Sequence, residues 1–410
     1  MRIGIIGGGI SGLTAAYELK KKGHVVHLFE REESAGGLIR CTRTNGVLYH
    51  RVGGHVFNTK IKRVREWFDS IFSDSDFLNA NRDARITWDF EDFIGYPIEN
   101  NIYRLSEDLQ ESIIEDLLSD RSNALDDSMT LKEFLINAFG PTLFKIYFEP
   151  YNTKIWSEPI ENISVEWLKG KLPMPNVKDI LISNFIRKSE TNMVHSSFQY
   201  AKHGGSQFIV DTLSKELNIF YENVDEIHKE GNSLLVNNKY RFDRVLFTGN
   251  IKEALDLEVF KFIKMPRFDL KYNSTSNVLC TFQEDLKYSW CYLPGADIKP
   301  HRIIFTGNFA ESNNQKGLKS CVIEFTGLLS LSEMEQEINK LPVCFNVIDH
   351  NVAKYSYPIN TQGSQEFIRM LREELSEYGV ILLGRFAEWQ YYNMDTAMEN
   401  ALNIVDAIQD

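Results

Sequence analysis

The stretch of sequence that decides the fold is RIGIIGGGISG, residues 2–12. It begins with an apolar run that lacks polar alternation, which is typical of a parallel strand buried on both faces. The glycines match the pattern Gly-x-Gly-x-x-Gly, in which Gly7 permits a tight turn, Gly9 lets the backbone approach a pyrophosphate and Gly12 lets the helix pack closely on the strand. A helix that begins here offers free N–H groups to phosphates. The stretch therefore predicts a Rossmann-like dinucleotide-binding unit.

The residues that follow complete a strand, helix and strand. Residues 11–20 carry apolar side chains at helical spacing, Gly23 ends this helix, and residues 24–29 form a second apolar run. Glu30 ends that run, 18 residues after Gly12. Because a carboxylate at this place can accept hydrogen bonds from the hydroxyls of an adenosine ribose, Glu30 is a candidate cofactor ligand.

The bulk composition indicates a globular protein of ordinary type. Its 410 residues are enough for two or three packed units. The formal net charge of −12 argues against nucleic acid as the main partner. The five cysteines form no Cys-x-x-Cys pair, which suits a reducing cytoplasm, and we interpret His24 and His27 as strand residues, not metal ligands. No apolar stretch approaches the roughly 18 residues of a membrane span. We therefore expect a cytoplasmic protein without a metal site or membrane insertion.

A second glycine pair favours FAD over NAD as the dinucleotide. Glu30 is followed by Ser34-Ala35-Gly36-Gly37, and a glycine pair at this place resembles the FAD-dependent amine-oxidase and protoporphyrinogen-oxidase superfamily. Two further segments resemble the same superfamily: Val224, in a strand that contacts adenine there, and residues 243–249, which resemble its second nucleotide-side strand. For Val224 the alternative is a plain core position.

The rest of the chain shifts between helical and strand-like patterns, with helical spacing dominant up to about residue 196 and strand patterns common after it. We therefore expect an α/β fold with a discontinuous Rossmann-like FAD-binding domain, an inserted mainly helical substrate-capping domain and an antiparallel β-sheet substrate domain. The predicted boundaries are residues 1–60, 200–265 and 366–410 for the FAD-binding domain, residues 61–199 for the helical domain, and residues 266–365 for the sheet domain.

Several segments resemble the UDP-galactopyranose mutase family, its eukaryotic-type branch more than its bacterial one. They are Gly53-Gly54-His55-Val56-Phe57, Tyr96-Pro97-Ile98-Glu99-Asn100-Asn101, Pro150-Tyr151-Asn152-Thr153-Lys154-Ile155-Trp156, and the run from Gly384-Arg385 to Asp395. The first resembles the segment beside the isoalloxazine ring, and the third resembles the segment that holds uridine. The matches run from residue 4 to residue 400, so the resemblance covers the whole chain.

The resemblance and the glycine pattern together imply the cofactor-binding residues. Arg385 follows the last sheet strand, where ligands of open α/β sheets bind, and its guanidinium can hydrogen-bond a flavin carbonyl. The helix that opens at Asp395 directs its positive end at the flavin. For Arg385 the alternative is a surface salt bridge. The residues that we expect to bind FAD are Gly7, Gly9, Ile10, Ser11, Gly12, Glu30, Arg31, Gly37, Leu38, His55, Val224, Gly384, Arg385, Asn393, Met394 and Asp395.

The resemblance also implies a substrate-binding set. Tyr292, Tyr357 and Tyr391 resemble family tyrosines whose hydroxyls donate to a diphosphate. Arg302 matches a phosphate-clamping arginine of the family, and a bidentate arginine is a suitable group for a diphosphate in an acidic protein. Each tyrosine could instead belong to the core, and Trp156 could be a helix-packing residue. The expected substrate-binding residues are Tyr96, Tyr151, Asn152, Trp156, Lys171, Tyr292, Arg302, Tyr357 and Tyr391. The residues that we expect to act in catalysis are His55, Lys171, Arg302 and Arg385.

Three positions depart from the family pattern. Lys171, which follows Trp167, stands where the family has a loop arginine, and lysine lacks the planar fork of a guanidinium. Glu99 replaces a glutamine that helps hold the nucleotide ribose and adds a negative charge there. His195 falls where the family has a substrate-binding asparagine. These changes leave the flavin half intact and leave the identity of the sugar nucleotide open.

The leading hypothesis is a flavin-dependent nucleotide-sugar mutase. The resemblance implies an isomerase of cell-surface polysaccharide synthesis that interconverts the pyranose and furanose forms of a UDP-sugar, UDP-galactopyranose or a close relative. In that family N5 of reduced FAD attacks the anomeric carbon, and NAD(P)H serves as the reductant. A homodimer is a candidate assembly. The alternatives are an FAD-dependent oxidoreductase of the amine-oxidase group and a flavin-bearing binding subunit without catalysis.

Overall fold

The computed structural model describes residues 1–119, 126, 128–165, 168, 176–188 and 196–408. The strands of these ranges are β1 (Arg2–Ile6), β2 (Val25–Phe29), β3 (Cys41–Thr44), β4 (Val47–His50), β5 (Phe77–Asn81), β6 (Ala84–Ile86), β7 (Ile94–Gly95), β8 (Ser197–Ala201), β9 (Ile219–Phe220), β10 (Ile227–Glu230), β11 (Ser233–Val236), β12 (Tyr240–Phe242), β13 (Arg244–Phe247), β14 (Lys271–Phe282), β15 (Trp290–Tyr292), β16 (Arg302–Ile304), β17 (Lys319–Thr326), β18 (Asn346–Ile359) and β19 (Val380–Leu382). The helices are α1 (Ile10–Lys21), α2 (Lys62–Ile71), α3 (Glu107–Leu118), α4 (Leu131–Phe139), α5 (Pro141–Leu143), α6 (Glu149–Ile155), α7 (Val177–Ile186), α8 (Gln207–Ser214), α9 (Ile251–Asp256), α10 (Leu331–Ile338), α11 (Ser364–Glu377) and α12 (Met394–Ala407).

A parallel sheet forms the nucleotide-binding unit. Among the described residues its strand order is β19-β13-β1-β2-β9. β1 lies in the middle, so that Ile5 is flanked by Leu28 of β2 and Leu246 of β13. Its residues Ile3 to Ile6 are all buried, as the apolar run predicts. Because the strands come from separate parts of the chain, the expected discontinuous Rossmann-like unit of an α/β protein is confirmed.

α1 begins directly at the glycine turn and confirms the predicted helix. Gly9 occupies its N-cap position and supplies no side-chain hydrogen bond, so the first N–H groups of the helix face outward without a side-chain acceptor. The residues from Ser11 to Ala16 are buried against the sheet. Lys20 and Lys21 lie in the last turn, where positive charge complements the helix dipole.

Helices and a small antiparallel sheet cover the two faces of the parallel sheet. On one face α1 packs against α8 and α12, and Leu13 and Met398 share a core with Ile5. On the other face α11 and the antiparallel strands β10, β11 and β12 lie against the sheet, where Leu371 and Val245 are buried together. Both faces of the sheet are therefore covered, as a parallel sheet requires.

A second sheet carries most of the remaining strands. In the part of the chain that the structure describes, its order is β18-β14-β17-β16-β15-β6-β7. The pairings are antiparallel except that β6 and β15 run parallel. β6 and β7 come from residues 61–199, where the sequence predicts mainly helices. That range holds α2 to α7 and also β5 and the start of β8. β6 and β7 are too short, at three and two residues, to show a strand period in the sequence.

The helices of residues 107–186 pack on the end of this second sheet that carries β6 and β15. Ile113, Phe134 and Leu143 share one core with Trp290 and Tyr292 of β15. Within the described ranges, no helix has both the length and the apolar character needed to cross a lipid bilayer.

Candidate functional site

A cleft of about 580 Å³ opens at the carboxyl ends of the parallel strands. One wall is formed by the ends of β1, β2 and β13, and the other wall includes residues 351–355 of β18. Ligands of open α/β sheets bind at this edge. The residues expected to bind the cofactor that line the cleft are Gly7, Gly9, Ile10, Ser11, Glu30, Arg31, Gly37, Leu38, His55, Val224, Arg385, Asn393 and Met394.

The glycine turn leaves room for a ligand on one side only. A Cβ atom built on Gly9 meets no atom within 4 Å, because that side of the turn faces the cleft. A Cβ atom on Gly12 lies 2.0 Å from the carbonyl oxygen of Gly7, and Gly12 does not line the cleft. Gly9 therefore permits close approach of a ligand, and Gly12 permits the close packing of α1 on β1. An uncapped helix N-terminus beside open space fits the pyrophosphate of FAD.

Glu30 presents an oriented carboxylate at the end of β2. Its Oε2 accepts a hydrogen bond from the N–H of Gly8 at 2.8 Å, and its Oε1 accepts one from the N–H of Glu32 at 2.9 Å. These two bonds fix the carboxylate where it lines the cleft. Arg31, the next residue, pairs with Glu253 of α9 at 2.7 Å. The Glu30 carboxylate is therefore oriented and placed to accept a hydrogen bond from a ribose hydroxyl.

Val224, Asp395 and Gly384 differ in detail from the sequence expectation. Val224 is buried and lines the cleft, but it precedes β10 and does not lie in a strand. Asn393 is the N-cap of α12 and Met394 its first residue, so this helix begins at the cleft. Asp395 and Gly384 do not line the cleft. Asp395 lies in the first turn of α12, and burial raises the pKa of its carboxyl.

Arg385 and His55 lie where the cleft meets a second group of expected site residues. The Arg385 guanidinium donates to the carbonyl oxygen of Tyr392, from Nε at 3.0 Å, and to that of Ser356, from Nη1 at 3.4 Å. Burial, followed by the charges of Arg385 and Arg302, lowers the pKa of His55 to about 4. Nε2 of His55 is buried and has no hydrogen-bond partner among the described residues. The imidazole is therefore uncharged at neutral pH, and this nitrogen can bond a ligand.

The second group, which we call the tyrosine–arginine cluster, consists of Tyr96, Tyr151, Tyr292, Arg302, Tyr357 and Tyr391. Its centre is aromatic. The ring centres of Tyr96 and Tyr292 are 4.7 Å apart, and those of Tyr151 and Tyr292 are 5.6 Å apart in an edge-to-face contact. No member of the cluster appears among the described residues that line the cleft. Thirteen of the sixteen expected cofactor residues and six of the nine expected substrate residues thus lie in two neighbouring groups.

Arg385 connects the cluster to the cleft. Nη2 of Arg302 donates to the hydroxyl oxygen of Tyr357 at 3.1 Å. The rings of Tyr357 and Tyr391 are stacked, with centres 5.4 Å apart. The guanidinium carbon of Arg385 lies 5.8 Å from the ring centre of Tyr357 and 5.3 Å from that of Tyr391. Since Arg385 also lines the cleft, a ligand in the cleft and a ligand in the cluster share this residue.

Glu324 and His301 belong to the site although the sequence reasoning missed them. Oε1 of Glu324 lies 2.6 Å from Nη2 of Arg302 and 2.8 Å from Nε2 of His301. Burial opposes ionisation of Glu324, but Arg302 and His301 lower the pKa of its carboxyl to about 2. Glu324 and Arg302 thus form a buried ion pair that orients the Arg302 guanidinium. The signal was present, since Glu324 is a lone carboxylate in the apolar strand β17.

The side chain of Asn152 in α6 hydrogen-bonds the two residues that flank this helix. The amide of Asn152 donates to the carbonyl oxygen of Phe148 at 2.7 Å and accepts from Nε1 of Trp156 at 3.1 Å. Tyr151 stacks on Tyr147, with ring centres 5.6 Å apart. The expected contacts of Tyr151 and Asn152 with a nucleobase stay a prediction. Trp156 packs against the core of the helical region, as its alternative interpretation requires.

The three positions that depart from the family pattern lie partly outside the described structure. Lys171, Trp167 and His195 fall outside the described residues. Glu99 lies inside them, and its carbonyl oxygen accepts a hydrogen bond from the side chain of Asn184 at 2.8 Å. The expected catalytic role of Lys171 therefore stays a prediction.

The fold and the cleft define an FAD-binding flavoprotein fold, and comparison with known proteins agrees. Residues 5–71 match the family described as an NAD(P)-binding Rossmann-like domain. Over its length the chain is homologous to the UDP-galactopyranose mutases, within the FAD-dependent amine-oxidase-like superfamily. It is 22% identical over 414 residues to a probable UDP-galactopyranose mutase of Klebsiella pneumoniae, covering 98% of this chain and 93% of that protein.

A second relative matches over a shorter region. The chain is 25% identical over 175 residues to the UDP-galactopyranose mutase of Mycoplasma pneumoniae, a match that spans 39% of this chain and 41% of that protein. The crystal structure of a reduced UDP-galactopyranose mutase matches 99% of this chain and 94% of its own with a TM-score of 0.87 and 20% identity, which shows the shared fold. The homology indicates a mutase-like flavoenzyme, so the expectation of an enzyme is confirmed at this level.

Oxidoreductases of the same superfamily match as well. Protoporphyrinogen oxidase 2 of Arabidopsis thaliana is 42% identical over 48 residues, which is 12% of this chain and 9% of that protein. A putrescine oxidase variant shares the fold with a TM-score of 0.63 and 14% identity, over 99% of this chain and 98% of its own. The flavin-binding fold is therefore common to both reaction classes.

Proposed function

We propose that the protein is a flavin-dependent nucleotide-sugar mutase that interconverts the pyranose and furanose forms of a UDP-sugar, UDP-galactopyranose or a close relative. The observation that carries this proposal is that Arg385 and His55 join the FAD cleft to the tyrosine–arginine cluster. A sugar nucleotide whose diphosphate lies in the cluster would place its sugar beside the flavin end of the cleft. The full-length similarity to mutases supports the proposal.

The cofactor half of the proposal assigns FAD to the cleft. FAD, when bound in its reduced form, supplies a nucleophile for the reaction. Arg385, fixed by two carbonyl oxygens, is placed to bond an oxygen acceptor of the ring, and the N-terminus of α12 favours negative charge there. NAD(P)H as the reductant is part of the same proposal.

The substrate half assigns the diphosphate to the tyrosine–arginine cluster. A departing diphosphate gains negative charge, and fixed donors in a site shielded from water stabilise such charge strongly. Arg302 is one such donor, because Glu324 and Tyr357 hold its guanidinium in place. The hydroxyls of Tyr292 and Tyr357 are two more. Glu99 is the departure from the family pattern that lies inside the described structure, and it leaves open which sugar nucleotide binds.

The deciding experiment is product analysis with UDP-galactopyranose. The FAD-loaded protein is reduced with dithionite and incubated with the sugar nucleotide beside an oxidised control, and the products are separated by chromatography. We expect the furanose to form only with the reduced protein. A reduced protein that forms none from UDP-galactopyranose and from other UDP-hexoses would contradict the proposal.

An FAD-dependent oxidoreductase is the second candidate, because oxidases share the fold along the full chain. An oxidase transfers electrons to oxygen at each turnover, whereas the mutase reaction consumes no oxygen. Oxygen consumption with amines and porphyrinogens is therefore expected to stay at the rate of the protein alone. Sustained consumption with one of them would favour the oxidase.

The proposal includes a cytoplasmic location and, through the resemblance, a role in cell-surface polysaccharide synthesis. The cysteines are free in the structure, four of them buried, which suits a reducing compartment. Homodimeric assembly stays a prediction that sedimentation of the purified protein would test.

A further inference from the structure

Arg82 packs against the tyrosine–arginine cluster, and no sequence pattern singled it out. It stands between β5 and β6, and β6 pairs in parallel with β15, the strand that carries Trp290 and Tyr292. Its guanidinium carbon lies 4.9 Å from the ring centre of Tyr96, 5.4 Å from that of Trp290 and 5.9 Å from that of Tyr292. A guanidinium on three aromatic rings is held in place by packing as well as by charge.

The hydrogen bond of Arg82 fixes the direction of a neighbouring hydroxyl. Nη2 of Arg82 donates to the hydroxyl oxygen of Tyr292. A guanidinium has only donors and a phenol has a single hydrogen, so the Tyr292 hydrogen must point to an acceptor elsewhere. Arg302 and Tyr357 repeat the arrangement at 3.1 Å, and burial raises the pKa of Tyr357, so its hydroxyl keeps its hydrogen. The same relation therefore occurs twice in one cluster.

These groups together select the chemistry of the ligand. Two guanidinium groups and two hydroxyls that already accept a hydrogen bond offer donors to whatever lies between them. An anion with acceptor oxygens only, such as a pair of linked phosphates, matches such a set. We propose that Arg82 is a positioning residue of the anion site: it holds the Tyr292 hydroxyl as a donor to the diphosphate of the ligand. This inference rests on the proposed function, which assigns that diphosphate to a nucleotide sugar.

The test is a double-mutant cycle on UDP binding. The dissociation constant of UDP is measured by calorimetry on the FAD-loaded, dithionite-reduced protein and on Arg82→Met, Tyr292→Phe and the double variant. If Arg82 acts through the Tyr292 hydroxyl, each single change weakens UDP binding about 10-fold, and the double variant is about as weak as either single variant. A residue that only supports the fold gives effects that multiply to about 100-fold. Such multiplication, or an Arg82→Met variant with unchanged affinity, overturns the proposal.

Two further variants keep the test decisive. Arg85→Met is the matched control, since Arg85 lies on the adjoining strand β6 and pairs with Asp83 at 2.7 Å; its UDP affinity is expected to stay within about 2-fold of wild type. If Arg82→Met fails to bind FAD or to melt cooperatively, Arg82→Lys replaces it in the cycle. Lysine keeps the charge but loses the planar fork, so Arg82→Lys is expected to show the same non-additivity with Tyr292→Phe.

Pyrophosphate as a second probe separates this inference from the proposed function. If wild type binds pyrophosphate but not UDP, the nucleotide assignment is wrong, and the same cycle measured with pyrophosphate decides the role of Arg82. If wild type binds UDP and the cycle is additive, only the role of Arg82 is wrong. Binding of neither probe overturns both.

Discussion

At the scale of single residues, the glycines of the turn after β1 serve two different purposes. Gly9 faces open space in the cleft, whereas a Cβ atom on Gly12 would overlap the backbone of Gly7. The sequence motif predicts these two different roles for the two positions. The structure gives the geometric reason for each, open space at Gly9 and backbone contact at Gly12.

Alanine at each of these two positions should therefore fail in a different way. Gly12→Ala is expected to lower the free energy of unfolding of the apoprotein by about 2 to 3 kcal/mol, because the backbone of Gly7 cannot yield easily. Gly9→Ala should leave that free energy within about 0.5 kcal/mol but weaken FAD binding about 10-fold. Urea unfolding of the apoproteins and fluorescence titration with FAD measure the two quantities. Equal behaviour of the two variants would contradict this assignment.

At the scale of elements, the segment between β19 and α12 carries Arg385 and is held by a buried carboxylate. Glu388 accepts from the N–H of Gly384 at 2.8 Å and from Arg372 at 3.0 Å. Burial raises the pKa of Glu388. The segment follows the last strand of the sheet, so its shape decides where Arg385 meets the cleft.

Removal of this carboxylate should loosen the segment. Glu388→Ala leaves the Gly384 N–H and Arg372 without their acceptor, which costs about 2 kcal/mol of stability, and the FAD dissociation constant should rise about 10-fold. Glu388→Gln keeps a carbonyl acceptor, and we expect less than half of each effect. FAD titration and thermal melting measure both.

The matched control for that prediction lies on the outer face of α11. Glu373 pairs with Arg369 at 2.5 Å, and its side chain is 64% exposed, so the pair is screened by water. Glu373→Ala should change stability by at most about 0.5 kcal/mol and leave FAD affinity unchanged. If Glu373→Ala weakens FAD as much as Glu388→Ala, the holding role of Glu388 is wrong.

At the scale of the whole molecule, the cleft lies between two sheets that come from different parts of the chain. The glycine turn after β1 forms one wall and residues 351–355 of β18 contribute to the other. A ligand that touches both walls binds only the folded arrangement of the two sheets. It therefore stabilises that arrangement by mass action.

Removal of FAD should lower the stability of both sheets together. At about 100 times its dissociation constant, FAD is expected to add about 2.7 kcal/mol to the free energy of unfolding. Hydrogen exchange should slow on FAD binding at residues 351–355 as well as at residues 7–12, while α10 at the far side of the second sheet serves as the reference. Protection confined to residues 7–12 would show that FAD does not touch the second wall.

The sequence by itself determined the parts of the protein that are local. The strand, glycine turn, helix and second strand lie within the first 30 residues. The apolar spacing and the glycines that predict them are patterns among residues close together in the sequence. They sufficed to predict the parallel sheet and the dinucleotide site at its carboxyl end, and the nearby glycine pair Gly36-Gly37 favoured FAD as the dinucleotide. The segments that resemble the mutase family are also short runs of sequence, and the similarity to a mutase along the chain agrees with them.

The tertiary structure alone decided what meets across long separations. β6 joins the second sheet by pairing with the distant strand β15, and β7 joins it by pairing with β6. Strands of two or three residues are too short to show a period in the sequence. Arg82 and Tyr292 are 210 residues apart, and Glu324 reaches Arg302 and His301 from a neighbouring strand. Such contacts depend on strand register and on the packing of one sheet against the helical region. A pattern along the chain does not encode these distances, because side chains far apart in sequence meet only after the fold has formed.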